Sequence, residues 1–226
     1  MTQRYDRQIG LIGVDGQRAL FDSCVAVIGC GGLGSIVIAD LVSAGVGRFI
    51  LIDGDIVSES NLNRQFIHAG KVGMKKVDSA RQWIHSLDPD CDVLTYDRFL
   101  SIDDVSLLDG ADVVVDCLDS SVDRLVLSKL CIDGGNVLVH AAVEGYHGQV
   151  AVIRPEDSLR LEHIYPKPTK GVVHDSIATS VTTVGSIQAN EVIKVLLGSD
   201  KALRDELLTL DLLENSIIKY RISIND

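Results

Sequence analysis

Cys24-Val-Ala-Val-Ile-Gly-Cys30-Gly-Gly-Leu-Gly34 is the stretch that decides the fold. An unbroken apolar run that ends in glycines reads as a strand buried on both faces. Small and aliphatic residues from Leu33 to Ala44 read as a helix, and Arg48-Phe-Ile-Leu-Ile-Asp53 reads as a second buried strand. Together they make a βαβ unit with a right-handed crossover. Its loop, Gly29-Cys30-Gly31-Gly32-Leu33-Gly34, has the G-x-G-x-x-G spacing. There the first glycine permits a tight turn, the second lets backbone approach a phosphate, and the third lets helix and strand close together. The helix N-terminus adds free N–H groups and a partial positive charge. Asp53 ends the second strand nineteen residues after Gly34, placed to accept from ribose hydroxyls.

Working outward, Arg4 to Ser23 is amphipathic and predicts one or two short helices. Met74 to Ser86 predicts another, with Val77, Ala80, Trp83, Ile84 and Leu87 on one face. Strands are expected over Asp92–Asp97, Asp112–Leu118 and Val137–Val143, with a helix over Val122–Cys131. Gly145 and Gly148 suggest a turn into an antiparallel strand over Gln149–Ile153. Pro155 to Asp175 holds three of the four prolines and predicts a long loop, a kind that is usually functional. A long helix over Ser176–Leu197 and a hairpin of Leu207–Leu213 with Ser216–Ile224 close the chain. The expectation is one domain over 1–226: a doubly wound, mostly parallel α/β sheet with a small antiparallel C-terminal extension. Residues 1–23 form its helical arm and 155–175 a crossover loop beside the active site.

The 226 residues are 46% apolar and carry a net charge of −11, which fits a packed core and argues against nucleic-acid or membrane partners. No stretch approaches the ~20 apolar residues of a membrane span. The start lacks an apolar signal core, so a cytoplasmic location is expected. Five cysteines, an odd number, read as buried free thiols in a reducing compartment. No Cys-x-x-Cys pair occurs, so a structural zinc of the usual spacing is not expected.

The glycine loop alone fits a dinucleotide as well as a mononucleotide. The residues beyond Asp53 favour a triphosphate. Asp55, Asn61, Arg64 and Gln65 come soon after it, and then Lys75 and Lys76 at a helix start. Arginine forks onto phosphate oxygens and lysine adds a point charge, a set that a nicotinamide cofactor does not require. Asp119 lies at the carboxyl end of a strand, where a carboxylate can hold Mg²⁺ with substrate phosphates completing the shell. The alternative for Asp119 is an N-cap of the next helix.

Arg4-Tyr5-Asp6-Arg7-Gln8, the glycine loop, Asp53-Gly-Asp55, Ser60-Asn-Leu-Asn-Arg64-Gln65, Lys76, Asp119 and Gly185-Ser-Ile-Gln-Ala189 together resemble the E1-like (ThiF/MoeB/HesA) adenylyltransferases over nearly the whole chain. The resemblance implies a homodimer that binds Mg-ATP and uses a substrate carboxylate to attack the α-phosphate. Gly29, Gly31, Gly32, Gly34, Asp53 and Asp55 would lie at the nucleotide, and Asn61, Arg64, Gln65 and Lys76 at the phosphates. Asp119 would be the magnesium and catalytic aspartate, and Arg7 would reach the triphosphate across the dimer. Members that bind zinc or form a thioester carry cysteines that this chain lacks, since none comes after Cys131. His163 and His174 read as polar loop histidines. On those departures the expected substrate is a small-molecule carboxylate, as in the branch that activates guanylylpyridinol for the Fe-hydrogenase cofactor. The alternative is the Gly-Gly tail of a ubiquitin-like sulfur-carrier protein.

Overall fold

The computed structural model describes residues 3–169 and 175–222. Helix α1 (Asp6–Asp22) leads into strand β1 (Cys24–Ile28), which is buried along its whole length. Gly13, at φ +74°, breaks α1 into two pieces at a kink. Helix α2 (Gly32–Ala44), strand β2 (Arg48–Ile52), helix α3 (Lys76–Leu87) and strand β3 (Asp92–Tyr96) come next. After them run strand β4 (Val113–Asp116), helix α4 (Ser121–Gly134) and strands β5 (Val137–Glu144) and β6 (His147–Ile153). The chain ends with short α5 (Leu161–Ile164), long α6 (Ala178–Leu196) and the hairpin β7 (Glu206–Asp211) with β8 (Ser216–Arg221).

The eight strands form one sheet in the order β3-β2-β1-β4-β5-β6-β7-β8. Strands β1 to β5 pair in parallel, and β6, β7 and β8 add on in antiparallel register. This is the expected Rossmann-like architecture. The winding reverses between β1 and β4, and a doubly wound sheet opens its ligand crevice at that point, on the carboxyl side of the strands. One face is covered by α2, α3 and α6, and the other by α4 with the segment around Leu159 and Leu161. Helix α6 lies so close to α2 that a Cβ at Gly185 would stand 2.7 Å from that of Ile36.

Three local expectations are corrected. Leu87, placed on the buried face of α3, is 37% exposed, because Ile84 takes the core position in that last turn. Segment 155–175 is not all loop: it contains α5, capped where the Arg160 N–H donates to His163 Nδ1. Strand β4 is shorter than expected, because Asp116 turns its carboxylate back onto the Leu118 N–H. His174 lies outside the described residues.

Candidate nucleotide site

Ile28 and Asp116 are register partners, and the Cys117 N–H donates to the Ile28 carbonyl at 2.9 Å. The loops that leave β1 and β4 therefore run side by side. Gly29 sits at φ +96°, and a Cβ there would lie 2.6 Å from the Cys117 carbonyl oxygen. A Cβ at Gly34 would lie 2.0 Å from the Gly29 carbonyl oxygen, so the first turn of α2 touches the strand end backbone to backbone.

The Cys30 peptide is clamped from both sides. Its N–H donates to Asp53 Oδ2 at 2.7 Å, and its carbonyl accepts from His68 Nε2 at 2.8 Å. A carbonyl only accepts, so Nε2 carries a proton. Burial lowers the His68 pKa and favours the neutral ring, whose Nδ1 then accepts from Ser79 Oγ at 2.8 Å. Asp53 Oδ1 accepts the Asp55 N–H at 2.8 Å. Burial pushes the Asp53 carboxyl up, while nearby Lys76 and the two backbone donors pull it down. The expected ribose acceptor thus also holds the glycine loop in shape, with accepting capacity left on each oxygen.

The first bond of α2 is Ser35 N–H to the Gly31 carbonyl at 2.9 Å, and N-cap Gly31 offers no side chain. The N–H groups of Gly32, Leu33 and Gly34 consequently lack helical partners and suit an anion. Gln65 is buried, with its Nε2 3.7 Å from a Cβ built at Gly31. Its Oε1 is a buried acceptor without a partner among the described residues. Arg64 approaches the loop as well, its Nε 3.9 Å from a Cβ built at Gly32. Its Nη1 donates to the Ser60 carbonyl and to Asn63 Oδ1, and no carboxylate neutralises it among the described residues. Asn61 Oδ1 accepts the Ser58 N–H at 3.0 Å, which leaves its amide donors available. Lys76 is buried at the start of α3 and pairs with the half-exposed Asp55 carboxylate at 2.6 Å. Lys75 instead pairs with Asp97 on the surface. This donor set, with two cations and unpaired amides around one loop, fits a polyphosphate.

Asp119 is exposed, three residues past β4 on the same edge. The capping role falls to Ser120, whose side chain accepts the Asp123 N–H at 3.3 Å. Among the described residues no hydrogen bond or ion pair engages Asp119. Nor do they contain a group of three or more His, Cys, Asp and Glu disposed to hold a metal. A hard cation at Asp119 would therefore draw most of its shell from phosphate and water oxygens, as Mg²⁺ does. Next to Arg64 opens a cleft of about 600 Å³, bounded also by Asn63, Tyr146 and Ser176.

Arg7 is not brought to these residues within one chain. Gln8 Nε2 and Gln17 Nε2 donate to the Ala44 carbonyl at 2.6 and 3.0 Å, which fixes the start of α1 at the C-terminal end of α2. The rise of about 1.5 Å per residue puts that end roughly 20 Å from the glycine loop. Sequence reading also missed the polar groups beneath Asp119, namely Asp116, Arg124, His140 and Tyr165. An aspartate closing an apolar strand run was the available signal. All five cysteines are buried. Burial pushes every one of the thiols up, Cys91 and Cys131 to about 12. No described helix is long and apolar enough to cross a membrane.

The ThiF family model matches residues 5–225. A SAMP-activating enzyme E1 of Haloferax volcanii is 37% identical over 96% of this chain and 85% of its own length. The adenylyltransferase and sulfurtransferase MOCS3 of Drosophila yakuba is 37% identical over 92% of the chain, and UBA4 of Saccharomyces cerevisiae, which bears the same description, is 35% identical over 87%. The chain spans about half the length of these two, 48% and 47%. Among solved structures, PaaA superposes with a TM-score of 0.83 at 24% identity, covering 97% of this chain and 73% of that one. Escherichia coli MccB with ATP does so with 0.83 at 21%, covering 98% and 72%; both share the fold. The relatives overturn the expectation of a small-molecule acid of the guanylylpyridinol type. They are named as an activating E1 and as enzymes that join adenylyl transfer to sulfur transfer. The chain belongs to the ThiF family and is an E1-like, ATP-dependent adenylyltransferase.

Proposed function

We propose that this chain adenylates the C-terminal carboxylate of a ubiquitin-like sulfur-carrier protein, at its Gly-Gly tail. The observation that carries the site is Asp119, a carboxylate unengaged among the described residues, on the same switch-point edge as the glycine loop and Arg64. Gly29, Gly31, Gly32 and Gly34 shape the loop whose amides hold the phosphates. Asn61, Arg64, Gln65 and Lys76 add donors and charge there, and Asp53 and Asp55 fix the loop and Lys76. Asp119 would hold Mg²⁺, and the metal would supply positive charge against the phosphates. A tail oxygen attacks the α-phosphorus, a new P–O bond forms, and the bond to the departing pyrophosphate breaks. Two anions must meet, so cations and oriented N–H groups that stabilise the crowded charge contribute most to the rate.

Arg7 stands outside a single chain's site, so its proposed role at the triphosphate requires a second copy and hence a homodimer. The buried thiols bear on the fate of the acyl-adenylate. A thiolate is the sulfur nucleophile, and none of the five is exposed or readily ionised. This chain's own residues carry the reaction to the acyl-adenylate, and a thiol from elsewhere takes over.

The test is ATP–pyrophosphate exchange with Mg²⁺, using a sulfur-carrier protein ending in Gly-Gly and the same protein without its last two residues. Exchange with the intact carrier alone is the expected result. Equal exchange with both, or exchange driven only by small carboxylic acids, would sink the carrier assignment.

A further inference from the structure

Beneath Asp119 lies a buried polar chain that adenylation chemistry does not itself require. Asp116, the last residue of β4, and His140, on β5, are both fully buried. Asp116 Oδ2 accepts from His140 Nδ1 at 2.7 Å, and Oδ1 accepts the Leu118 N–H at 3.0 Å. A carboxylate can only accept, so Nδ1 carries the His140 proton and Nε2 is an acceptor. Burial lowers the His140 pKa and agrees with the neutral ring. Tyr165 Oη stands 3.2 Å from Nε2 and donates to it. The same oxygen accepts from Arg124 Nη1 and Gln149 Nε2, each at 2.7 Å. Arg124, itself buried, also donates to the Leu118 carbonyl through Nε at 3.1 Å and through Nη2.

The Leu118 peptide is thus held at both ends, its N–H by Asp116 and its carbonyl by Arg124. Asp119 is the next residue. Tyr165, at the far end of the chain of bonds, belongs to the crossover segment and not to the sheet. A second tie lies close by. Ser121 Oγ donates to the Thr169 carbonyl at 3.0 Å and accepts the Thr169 N–H at 2.7 Å. The segment through Thr169 thus meets the chain after Asp119 directly at Ser121, and reaches Leu118 before it through Tyr165 and Arg124. Apolar residues of similar volume would fill this space at lower desolvation cost. A network like this one fixes geometry.

We infer that Arg124 and Tyr165 are positioning residues for adenylation: with Asp116 and His140 they hold the Asp119 backbone in register with the crossover segment. The inference rests on Asp119 as the magnesium carboxylate. Tyr165→Phe in the full chain is the first variant, because it removes one oxygen and keeps the ring packed. In pyrophosphate exchange, kcat falls tenfold or more, KM for ATP stays within twofold, and the Mg²⁺ needed for half-maximal rate rises severalfold. Arg124→Lys keeps one donor for the Leu118 carbonyl and falls between wild type and Arg124→Met. Amide hydrogen exchange reads the coupling without catalysis. It quickens tenfold or more over residues 118–121 in Tyr165→Phe and stays unchanged in β1 and β2. Wild-type kcat, Mg²⁺ demand and amide exchange in Tyr165→Phe would overturn the inference. Absence of pyrophosphate exchange in the wild type would instead strike the functional reading, and the amide exchange would still decide the coupling.

Discussion

Gly34→Ala puts a methyl group where there is no room for one. The added Cβ would stand 2.0 Å from the Gly29 carbonyl oxygen and 2.9 Å from its carbon. An ordinary C···O contact is about 3.3 Å, so the two backbones must part by roughly 1.3 Å. Gly29 cannot retreat, because its own α-carbon faces the Cys117 carbonyl, 2.6 Å from a built Cβ. Overpacking of this kind costs up to about 3 kcal/mol, and the better helix propensity of alanine returns up to about 1 kcal/mol. The net loss is about 2 kcal/mol, which lowers Tm by roughly 4–8 °C in a domain of this size. Gly31→Ala is the control. There the nearest atom to the new Cβ is Gln65 Nε2, at 3.7 Å. Its Tm should stay within about 2 °C of wild type, but its methyl occupies the side from which a phosphate approaches. Its ATP affinity should drop at least about tenfold, or roughly 1.4 kcal/mol. Thermal melts and titration calorimetry on both variants decide the matter. A Gly34→Ala protein that melts like wild type would refute the close-packing argument, and a Gly31→Ala protein that binds ATP normally would remove the loop from the site.

Asp119→Asn should leave stability within about 0.5 kcal/mol, since the side chain is exposed and unengaged among the described residues. It should cut pyrophosphate exchange by a factor on the order of 10²–10³, as expected when one charge-stabilising group is removed; exchange at the wild-type rate would discard the magnesium role. Lys76→Met removes the cation that opposes the raised Asp53 pKa. A carboxyl whose folded pKa is raised contributes stability below its unfolded pKa and loses it as pH climbs through the folded value. The pKa rises further in the variant, so its destabilisation should be about 1–2 kcal/mol at pH 7 and shrink toward pH 4. Denaturant melts across that window would show it, and a pH-independent difference would contradict the assignment. Iodoacetamide should label the native protein slowly and leave adenylation intact, because burial pushes all five thiols up; rapid loss of activity with one thiol modified would point to a cysteine in the site.

The features legible in the sequence are local or periodic. The run Cys24–Gly34 carries its own strand, turn and helix start within a few residues, and its first and last glycines, Gly29 and Gly34, are fixed by backbone contacts that leave no room for a side chain. Asp119 was legible because the end of a strand in a doubly wound sheet has a known place. Arg64 and Gln65 were legible as a cluster just past that crevice. The clamp by His68 and the chain from Asp116 to Tyr165 were not. Asp116 and His140 lie 24 positions apart, and His140 and Tyr165 lie 25 apart. Taken singly, each passes for a strand-end acid, a core histidine or a loop tyrosine; sheet register sets Asp116 beside His140, and the path of the crossover segment brings Tyr165 to them. The substrate was misread for a different reason. Missing cysteines report on thiol transfer, the step after activation, whereas the phosphate-binding residues serve any carboxylate that reaches the α-phosphorus. Neither group encodes which acid arrives. Surfaces that receive a substrate beyond the phosphates have no fixed spacing in a sequence. The relatives weigh against a small-molecule acid through similarity along the chain, which no single motif carries.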